Sequence, residues 1–320
     1  MTTPPQGPAA RPLLSVVTSC YNEEENVRAL YEAVRDVMAK YPAYRYEHIF
    51  IDNASRDGTR RILRDICAAD CNVKAIFNAR NFGAVRSGMH VLMQAHGAAV
   101  LALACDFQDP PALLGEFITK WEQGAKLVLA VKTSSSEHSL FYAIRGWYYR
   151  LLGRISEAPP VMQATGFGMY DRAVIEHLRR INDPYPFFRG LLSEVGYEPV
   201  LVPFHQPRRR RGISSQNFYS LYDQAFLGIT SHSKVPLRLA TMLGFVLGVL
   251  SVLAGLGYLV AKLLFWNSFS LGVAPILVGF FFLTSVQLFF IGIVGEYVGT
   301  IWTHVRDIPH VFELERINFE

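Results

Sequence analysis

The chain has 320 residues, of which 51% are hydrophobic and 18% are charged, and its formal net charge is +4. This length accommodates one α/β domain of roughly 200 residues together with a further part. The four cysteines are predicted to be reduced thiols. A zinc site is not expected, because Cys67 and Cys71 have no nearby histidine or second cysteine pair.

Apolar, β-branched runs alternate with helical patterns along the first half of the chain. The predicted strands cover residues 13–20, 47–52, 73–78, 99–105 and 126–132. Helices are predicted to begin near Glu23, Asp57, Gly83 and Pro111. This alternation predicts an α/β fold with a mostly parallel sheet that is covered by helices on both faces.

Residues just after each predicted strand form the candidate site, because such sheets bind ligands outside the carboxyl ends of their strands. The candidates after the first three strands are Tyr21, Asn22, Glu23, Asp52, Asp57, Arg80, Asn81, Gly83 and Arg86. Helix capping is the alternative for single residues such as Glu23 and Asp57. Polar residues that follow several successive strands favour a nucleotide site over capping alone. No strand is followed by Gly-x-Gly-x-x-Gly and no Gly-x-x-x-x-Gly-Lys occurs, which argues against dinucleotide enzymes and P-loop hydrolases.

The stretch LALACDFQDPP, residues 101–111, places potential cation ligands directly after the fourth predicted strand. Asp106 and Gln108 offer oxygen atoms that suit a hard divalent cation on a phosphate group. The alternative is a polar loop that opens the next helix. Asp109, followed by Pro110 and Pro111, is interpreted mainly as the start of that helix.

Two stretches near the end of the chain, 239–261 and 271–295, contain no charged residue. Each reaches the roughly 20 apolar residues that span a bilayer, and two in tandem favour membrane spans over a buried soluble helix. Lys234 and Arg238 precede the first stretch, and His304 and Arg306 follow the second. The connection WNSFS is uncharged, although Lys262 lies at the far end of the first stretch. This asymmetry predicts that both chain ends lie in the cytoplasm. The N-terminal residues have no apolar core, so no secretory signal is expected.

A run of four arginines, 208–211, is followed by Gly-Ile-Ser-Ser. Such a run is either a solvated patch attracted to anionic lipid or a clamp that binds phosphate through bidentate arginine and serine hydroxyl groups. Nucleic acid is not expected as a partner of a membrane-attached chain. Apolar residues then recur at helical spacing over 218–229, which indicates an interfacial helix or an ordinary core-facing one.

In order and spacing these motifs resemble family 2 glycosyltransferases of the GT-A fold. Within that family they resemble dolichyl-phosphate mannose synthases and bacterial polyprenyl-phosphate (bactoprenol) glycosyltransferases. The resemblance covers nearly the whole chain. The matching stretches are VVTSCYNEEEN, IDNASRDGT, RNFG, DFQDPP, RRRRGISS and GIVGEYVG.

The resemblance implies an inverting, metal-dependent hexosyltransferase with a nucleotide diphosphate sugar as donor, UDP being favoured over GDP, and polyprenyl phosphate as acceptor. The implied donor-binding residues are Tyr21, Asn22, Glu23, Asp52, Arg80, Asn81 and Gly83. Asp106 and Gln108 would hold Mg²⁺ or Mn²⁺ on the donor diphosphate. Arg210, Arg211 and Ser214 would bind the acceptor phosphate, so the implied catalytic residues are Asp106 and Arg210.

The chain departs from the family pattern at two places. The family usually has Asp-x-Asp-x-Gln-Asp-Pro-Pro at the fourth strand end, where this chain has Ala104 in place of the first Asp. Family members often carry acids in the segment QATGFGMYDR, where this chain has Gln163 and Gly166. A missing base is compatible with a phosphate acceptor, since a phosphate monoester with a second pKa of about 6 is already a nucleophile at neutral pH.

The predicted organisation follows from these motifs and from the two apolar stretches. It comprises a flexible N-terminus (1–12), a GT-A domain (13–212), an amphipathic interfacial region (213–235), two transmembrane helices (236–303) and a cytoplasmic C-terminal tail (304–320). The expected location is the inner membrane, where the small residues Gly292, Gly295 and Gly299 favour a homo-oligomer. The alternatives are a non-catalytic scaffold or sensor that binds nucleotide sugar and lipid, and a transferase that acts on a membrane-linked polysaccharide.

Overall fold

The computed structural model describes residues 11–134, 164–181, 183–207, 230, 233–265, 273–306 and 308–319. The described strands are β1 (Leu13–Cys20), β2 (Arg45–Asp52), β3 (Val73–Asn78), β4 (Ala99–Ala102), β5 (Leu127–Ser134), β6 (Ala164–Asp171), β7 (Val200–His205) and β8 (Glu313–Ile317). The described helices are α1 (Val27–Met38), α2 (Thr59–Ala69), α3 (Ala84–Gln94), α4 (Leu114–Glu122), α5 (Arg172–Ile181), α6 (Phe188–Glu194), α7 (Val235–Leu264) and α8 (Val273–Val305).

All eight strands join one sheet in the order β7-β5-β6-β4-β1-β2-β3-β8. The four central strands β4, β1, β2 and β3 are parallel to one another, as predicted. The antiparallel strand β6 lies between β4 and β5, and β8 pairs antiparallel with β3 at one edge. The predicted α/β fold with a mostly parallel sheet is therefore confirmed, with antiparallel additions on both sides of the parallel core.

Each face of the sheet carries its own apolar core, because successive side chains of a strand point to opposite faces. In β2, Phe50 packs on the face covered by α1, α2 and α4, whereas Ile49 and Ile51 pack on the face covered by α3, α5 and α6. Helix α1 forms because apolar residues recur every three or four positions and bury one stripe. Those residues are Val27, Leu30, Val34 and Met38.

The fourth strand is shorter than predicted, since the prediction extended it to residue 105 and it ends at Ala102. Leu103 N–H still donates to the Val17 carbonyl, but the chain then turns away from β1. The Asp109 carboxylate accepts the Ala104 N–H, and Phe107 has a positive φ of 58°. Local contacts within the loop therefore replace the last sheet hydrogen bonds.

Gly168 allows β5 and β6 to approach each other, because a Cβ at this position would lie 2.2 Å from the Val128 carbonyl oxygen. Gly168→Ala is expected to destabilise the fold by roughly 1–3 kcal/mol, since backbone has to move to relieve the overlap. Gly88→Ala in α3 is the matched control, because a Cβ at Gly88 would have no other atom within 4 Å. Thermal unfolding of the full chain in detergent checks this. An unfolding temperature equal to that of Gly88→Ala would contradict the close approach.

Helices α7 and α8 are long and apolar enough to cross a membrane over Val235–Tyr258 and Gly279–Val305, with those spans not buried inside the protein. They are candidate membrane spans and indicate membrane association. After α8 the chain returns to the sheet as β8, within the segment predicted as a C-terminal tail. Most of the predicted interfacial region 213–235 lies outside the described residues, as does the N-terminal segment up to residue 10, which was predicted to be flexible.

Candidate active site

The carboxyl ends of the four central strands bring the predicted site loops together. Cys20 pairs with Asp52, and Asp52 pairs with Phe77, so β1, β2 and β3 end at the same level of the sheet. The loops that follow these strands and β4 cover residues 21–26, 53–58, 79–83 and 103–110. They share one edge of the sheet, as the rule for parallel strands requires.

The first two loops are joined by hydrogen bonds. Asn22 N–H donates to Ser55 Oγ at 2.8 Å, and Asn22 Oδ1 accepts Arg56 N–H at 2.9 Å. Tyr21 is exposed at this edge, whereas Glu23 is buried and its Oε2 accepts Asn26 Nδ2 at 2.6 Å. Of the three residues predicted here, Tyr21 and Asn22 thus lie at the surface and Glu23 fixes the loop from within.

Asp52 is fully buried beneath the site. Its Oδ2 accepts Arg60 Nε at 2.6 Å and Ser55 N–H at 3.1 Å, and Arg60 Nη2 donates to the Asn78 carbonyl at 2.9 Å. The prediction from sequence was a direct contact with the nucleotide. In the structure the carboxylate joins the loop after β2 to the end of β3, which is a positioning arrangement.

An amide cluster, which sequence reasoning missed, holds the loop 79–83. Asn53 Oδ1 accepts Phe82 N–H and Ser87 Oγ, both at 2.9 Å. Asn53 Nδ2 donates to Asn81 Oδ1 at 2.7 Å, and that oxygen also accepts Gly83 N–H at 2.8 Å. Asn53 therefore fixes the predicted site residue Asn81, which in turn holds Gly83. The available signal was its position directly after β2, one residue beyond Asp52.

Two arginines share an aromatic partner in the same loop. The guanidinium carbon of Arg80 lies 4.0 Å from the Phe82 ring centroid, and that of Arg86 lies 5.2 Å from it. Burial lowers the pKa of Arg86, and the positive charge of Arg80 lowers it further. Two neighbouring positive charges at this edge of the sheet suit an anion such as a diphosphate.

The loop after β4 holds the predicted metal ligands. Asp106 is almost buried, and its Oδ1 accepts Gln108 N–H at 3.1 Å. Asp109 Oδ2 accepts Ala104 N–H at 2.9 Å. Burial raises the pKa of Asp109 to about 6, with the nearby charge of Asp106 adding to the rise. Asp109, predicted mainly to start a helix, also closes this loop, and Pro111 does begin the helical turn that leads into α4.

The residues of this loop fit a divalent cation. Within the described part of the chain no cluster of three or more His, Cys, Asp or Glu side chains could hold a metal. Mg²⁺, however, is usually held by one or two carboxylates together with substrate phosphates and water. Asp106 would supply a carboxylate and Gln108 an amide oxygen.

The backbone of strand β6 favours glycine at position 166. This residue has a φ of +91°, and Phe188 lies 3.6 Å from the place of a Cβ. A side chain there would be strained, since residues other than glycine rarely adopt such backbone angles. Gln163 lies outside the described residues, as do the predicted acceptor residues Arg210, Arg211 and Ser214.

Comparison with known proteins decides the family. Residues 15–179 match the family described as Glycosyl transferase family 2. Over 298 residues the chain is 34% identical to the SfII prophage-derived bactoprenol glucosyl transferase of Shigella flexneri, covering 92% of this chain and 96% of that protein. The chain belongs to glycosyl transferase family 2.

Two further proteins are similar to this family 2 glycosyltransferase. The prophage bactoprenol glucosyl transferase homolog of Escherichia coli K12 is 30% identical over 298 residues, covering 92% of this chain and 96% of that one. Glucosyl-3-phosphoglycerate synthase of Mycobacterium tuberculosis, solved with Mn²⁺, UDP-glucose and phosphoglyceric acid, is 15% identical with a TM-score of 0.44. That alignment covers 69% of this chain and 78% of the solved chain. The predicted family and GT-A fold are confirmed.

Proposed function

We propose that this glycosyltransferase moves a sugar from a nucleotide diphosphate sugar to polyprenyl phosphate at the cytoplasmic leaflet of the inner membrane. The observation that carries the proposal is one sheet that bears the strand-end site and also receives the chain after its second membrane helix. The site is thereby tied to a bilayer, where a polyprenyl acceptor resides. The names of the relatives from Shigella flexneri and Escherichia coli K12 support the same acceptor.

Helices α7 and α8 form a membrane hairpin, and the start of α7 and the end of α8 both meet the catalytic domain. Strand β7 precedes α7, and β8 follows α8 in the same sheet. Near these ends, Tyr297 Oη donates to the Ser233 carbonyl at 2.6 Å, and His304 Nε2 lies 3.3 Å from Asp183 Oδ1. The chain therefore enters α7 and leaves α8 on the same side of the membrane. The positive charges that flank them favour the cytoplasm for that side and for both termini.

In this proposal the donor lies across the strand-end loops. Tyr21 and Asn22 face the nucleoside, UDP being favoured over GDP, and Arg80 faces the diphosphate. Asp106 and Gln108 hold the divalent cation. When bound, Mg²⁺ or Mn²⁺ neutralises charge on the leaving nucleotide diphosphate.

The acceptor needs positioning more than deprotonation. Its phosphate is largely dianionic at neutral pH and attacks the sugar carbon from the side opposite the leaving diphosphate, which inverts the configuration. Gly166, near the start of β6, carries no acid that would repel this dianion. Arg210, Arg211 and Ser214 bind the phosphate in this proposal.

The test is transfer by the purified full chain to polyprenyl phosphate, with Mg²⁺ or Mn²⁺ and a panel of radiolabelled UDP- and GDP-sugars. We expect metal-dependent glycolipid from one donor. Arg210→Ala is expected to raise the KM for polyprenyl phosphate by roughly tenfold or more, since a charge-assisted hydrogen bond is lost. Arg208→Ala serves as the matched control. Nucleotide binding without product from any donor would favour a non-catalytic scaffold instead.

A further inference from the structure

The segment that follows the second membrane helix lies directly against the loop 79–83. Ala79 N–H donates to the Phe312 carbonyl at 2.8 Å, and Arg86 Nη2 donates to the Pro309 carbonyl at 2.7 Å. The Phe312 ring packs on the Phe82 ring, with centroids 6.2 Å apart and planes at 46°. The loop is thus contacted from the side away from Asn53.

Strand β8 anchors this segment to the helices on both sides of β3. On α3, His90 Nε2 lies 2.5 Å from Glu313 Oε1. On α2, Arg64 Nη2 donates to Glu315 Oε2 at 2.6 Å. Phe312 therefore approaches the loop from a fixed position.

The other end of the segment reaches the base of the membrane hairpin. His310 Nε2 donates to the Asp183 carbonyl at 2.8 Å, and the Asp183 carboxylate lies near His304 on α8. Residues 308–319 consequently connect three parts of the chain: the helix α8, the loop at residue 183 and the loop 79–83.

We propose that residues 309–312 position the loop 79–83 for donor binding, with Phe312 as the positioning residue. The inference rests on the proposed function, because that function assigns Arg80, Asn81 and Gly83 to the donor. A loop held in its bound conformation loses less entropy on binding, so the contact raises donor affinity without touching the donor. Burial does not account for the Phe312 ring, which is 54% exposed.

The test compares Phe312→Ala with Leu314→Ala in the full chain. Leu314 lies two residues further along the same segment and is 65% exposed, so its loss controls for removing an exposed apolar side chain. Phe312→Ala is expected to raise the Kd of UDP with Mg²⁺, and the donor KM, by about 2- to 10-fold, the range of an aromatic pair. The kcat is expected to stay within about twofold, and Phe312→Tyr is expected to restore affinity.

A second measurement reports on the loop itself. Amide hydrogen exchange of the peptide covering residues 79–83 is expected to quicken in Phe312→Ala and to stay unchanged in Leu314→Ala. Equal affinities in wild type and Phe312→Ala would overturn the inference, as would an equal loss in Leu314→Ala or a loss in kcat alone. If Phe312→Ala does not fold, Phe312→Leu is measured against the same criteria.

The outcomes separate this inference from the proposed function. A wild-type chain that binds UDP or GDP but glycosylates no polyprenyl phosphate defeats the proposed acceptor, and a nucleotide Kd that still rises in Phe312→Ala upholds the positioning role. Glycolipid formed with an unchanged donor KM in Phe312→Ala upholds the function and defeats the positioning role. A wild-type chain that binds neither nucleotide defeats both.

Discussion

Asp106→Ala is expected to lower the rate of glycolipid formation roughly 10²- to 10³-fold, the loss typical when a group that stabilises transition-state charge is removed. Asp106 is the carboxylate of the proposed metal pair, and the Ala104 position offers no second one. Radiolabelled transfer at saturating donor measures the loss. Asp36→Ala is the control, because Asp36 is an exposed residue on α1.

A companion variant sharpens this expectation. Ala104→Asp places an acid where the family usually has one, and it should lower the Mg²⁺ or Mn²⁺ concentration that gives half-maximal rate. The Ala104 backbone N–H is already bound by Asp109, so the substitution leaves that hydrogen bond in place. Full activity of Asp106→Ala, or activity of the wild type in excess chelator, would contradict the metal assignment.

The parallel core was predictable because its signals are local. Strands β1, β2 and β3 end at the residues predicted from their apolar runs, namely Cys20, Asp52 and Asn78. Strand β6 was not predicted, since its glycines weaken the strand pattern and its partner β4 is distant in sequence. Strand β8 was missed for a related reason, because its sequence ELERI is mostly charged and its place depends on pairing with β3.

The site was predictable as a set of loops but not as a set of exposed groups. Parallel strand ends meet at one edge, so sequence order alone brings Tyr21, Asn81 and Asp106 to the same region. Whether a carboxylate faces solvent or the side chain of an arginine depends on the packing of neighbouring loops. Asp52 was therefore expected to contact nucleotide, whereas the structure places it on Arg60. Asn53 passed unnoticed because an uncharged amide after a strand is common in turns.

Arg60→Ala is expected to destabilise the protein by up to about 3–5 kcal/mol, because it leaves the Asp52 carboxylate buried without its charged partner. The Arg60 side chain is 27% exposed and Asp52 is 0% exposed. The free-energy cost therefore comes mainly from the unpaired, buried carboxylate of Asp52. Asp52→Asn should cost less, since it removes the buried charge and leaves Arg60 able to reach water. Thermal unfolding in detergent ranks the two variants.

The double variant Arg60→Ala, Asp52→Asn decides whether the charge pair is the cause. It should be more stable than Arg60→Ala alone, because no unpaired carboxylate remains buried. UDP binding to Asp52→Asn then separates two roles for the carboxylate. If Asp52 only positions the loops, Arg60→Ala and Asp52→Asn should lose similar nucleotide affinity, whereas a larger loss in Asp52→Asn indicates direct contact. If Asp52 contacts the nucleotide, Asp52→Asn should lose affinity even where its unfolding temperature matches that of the wild type.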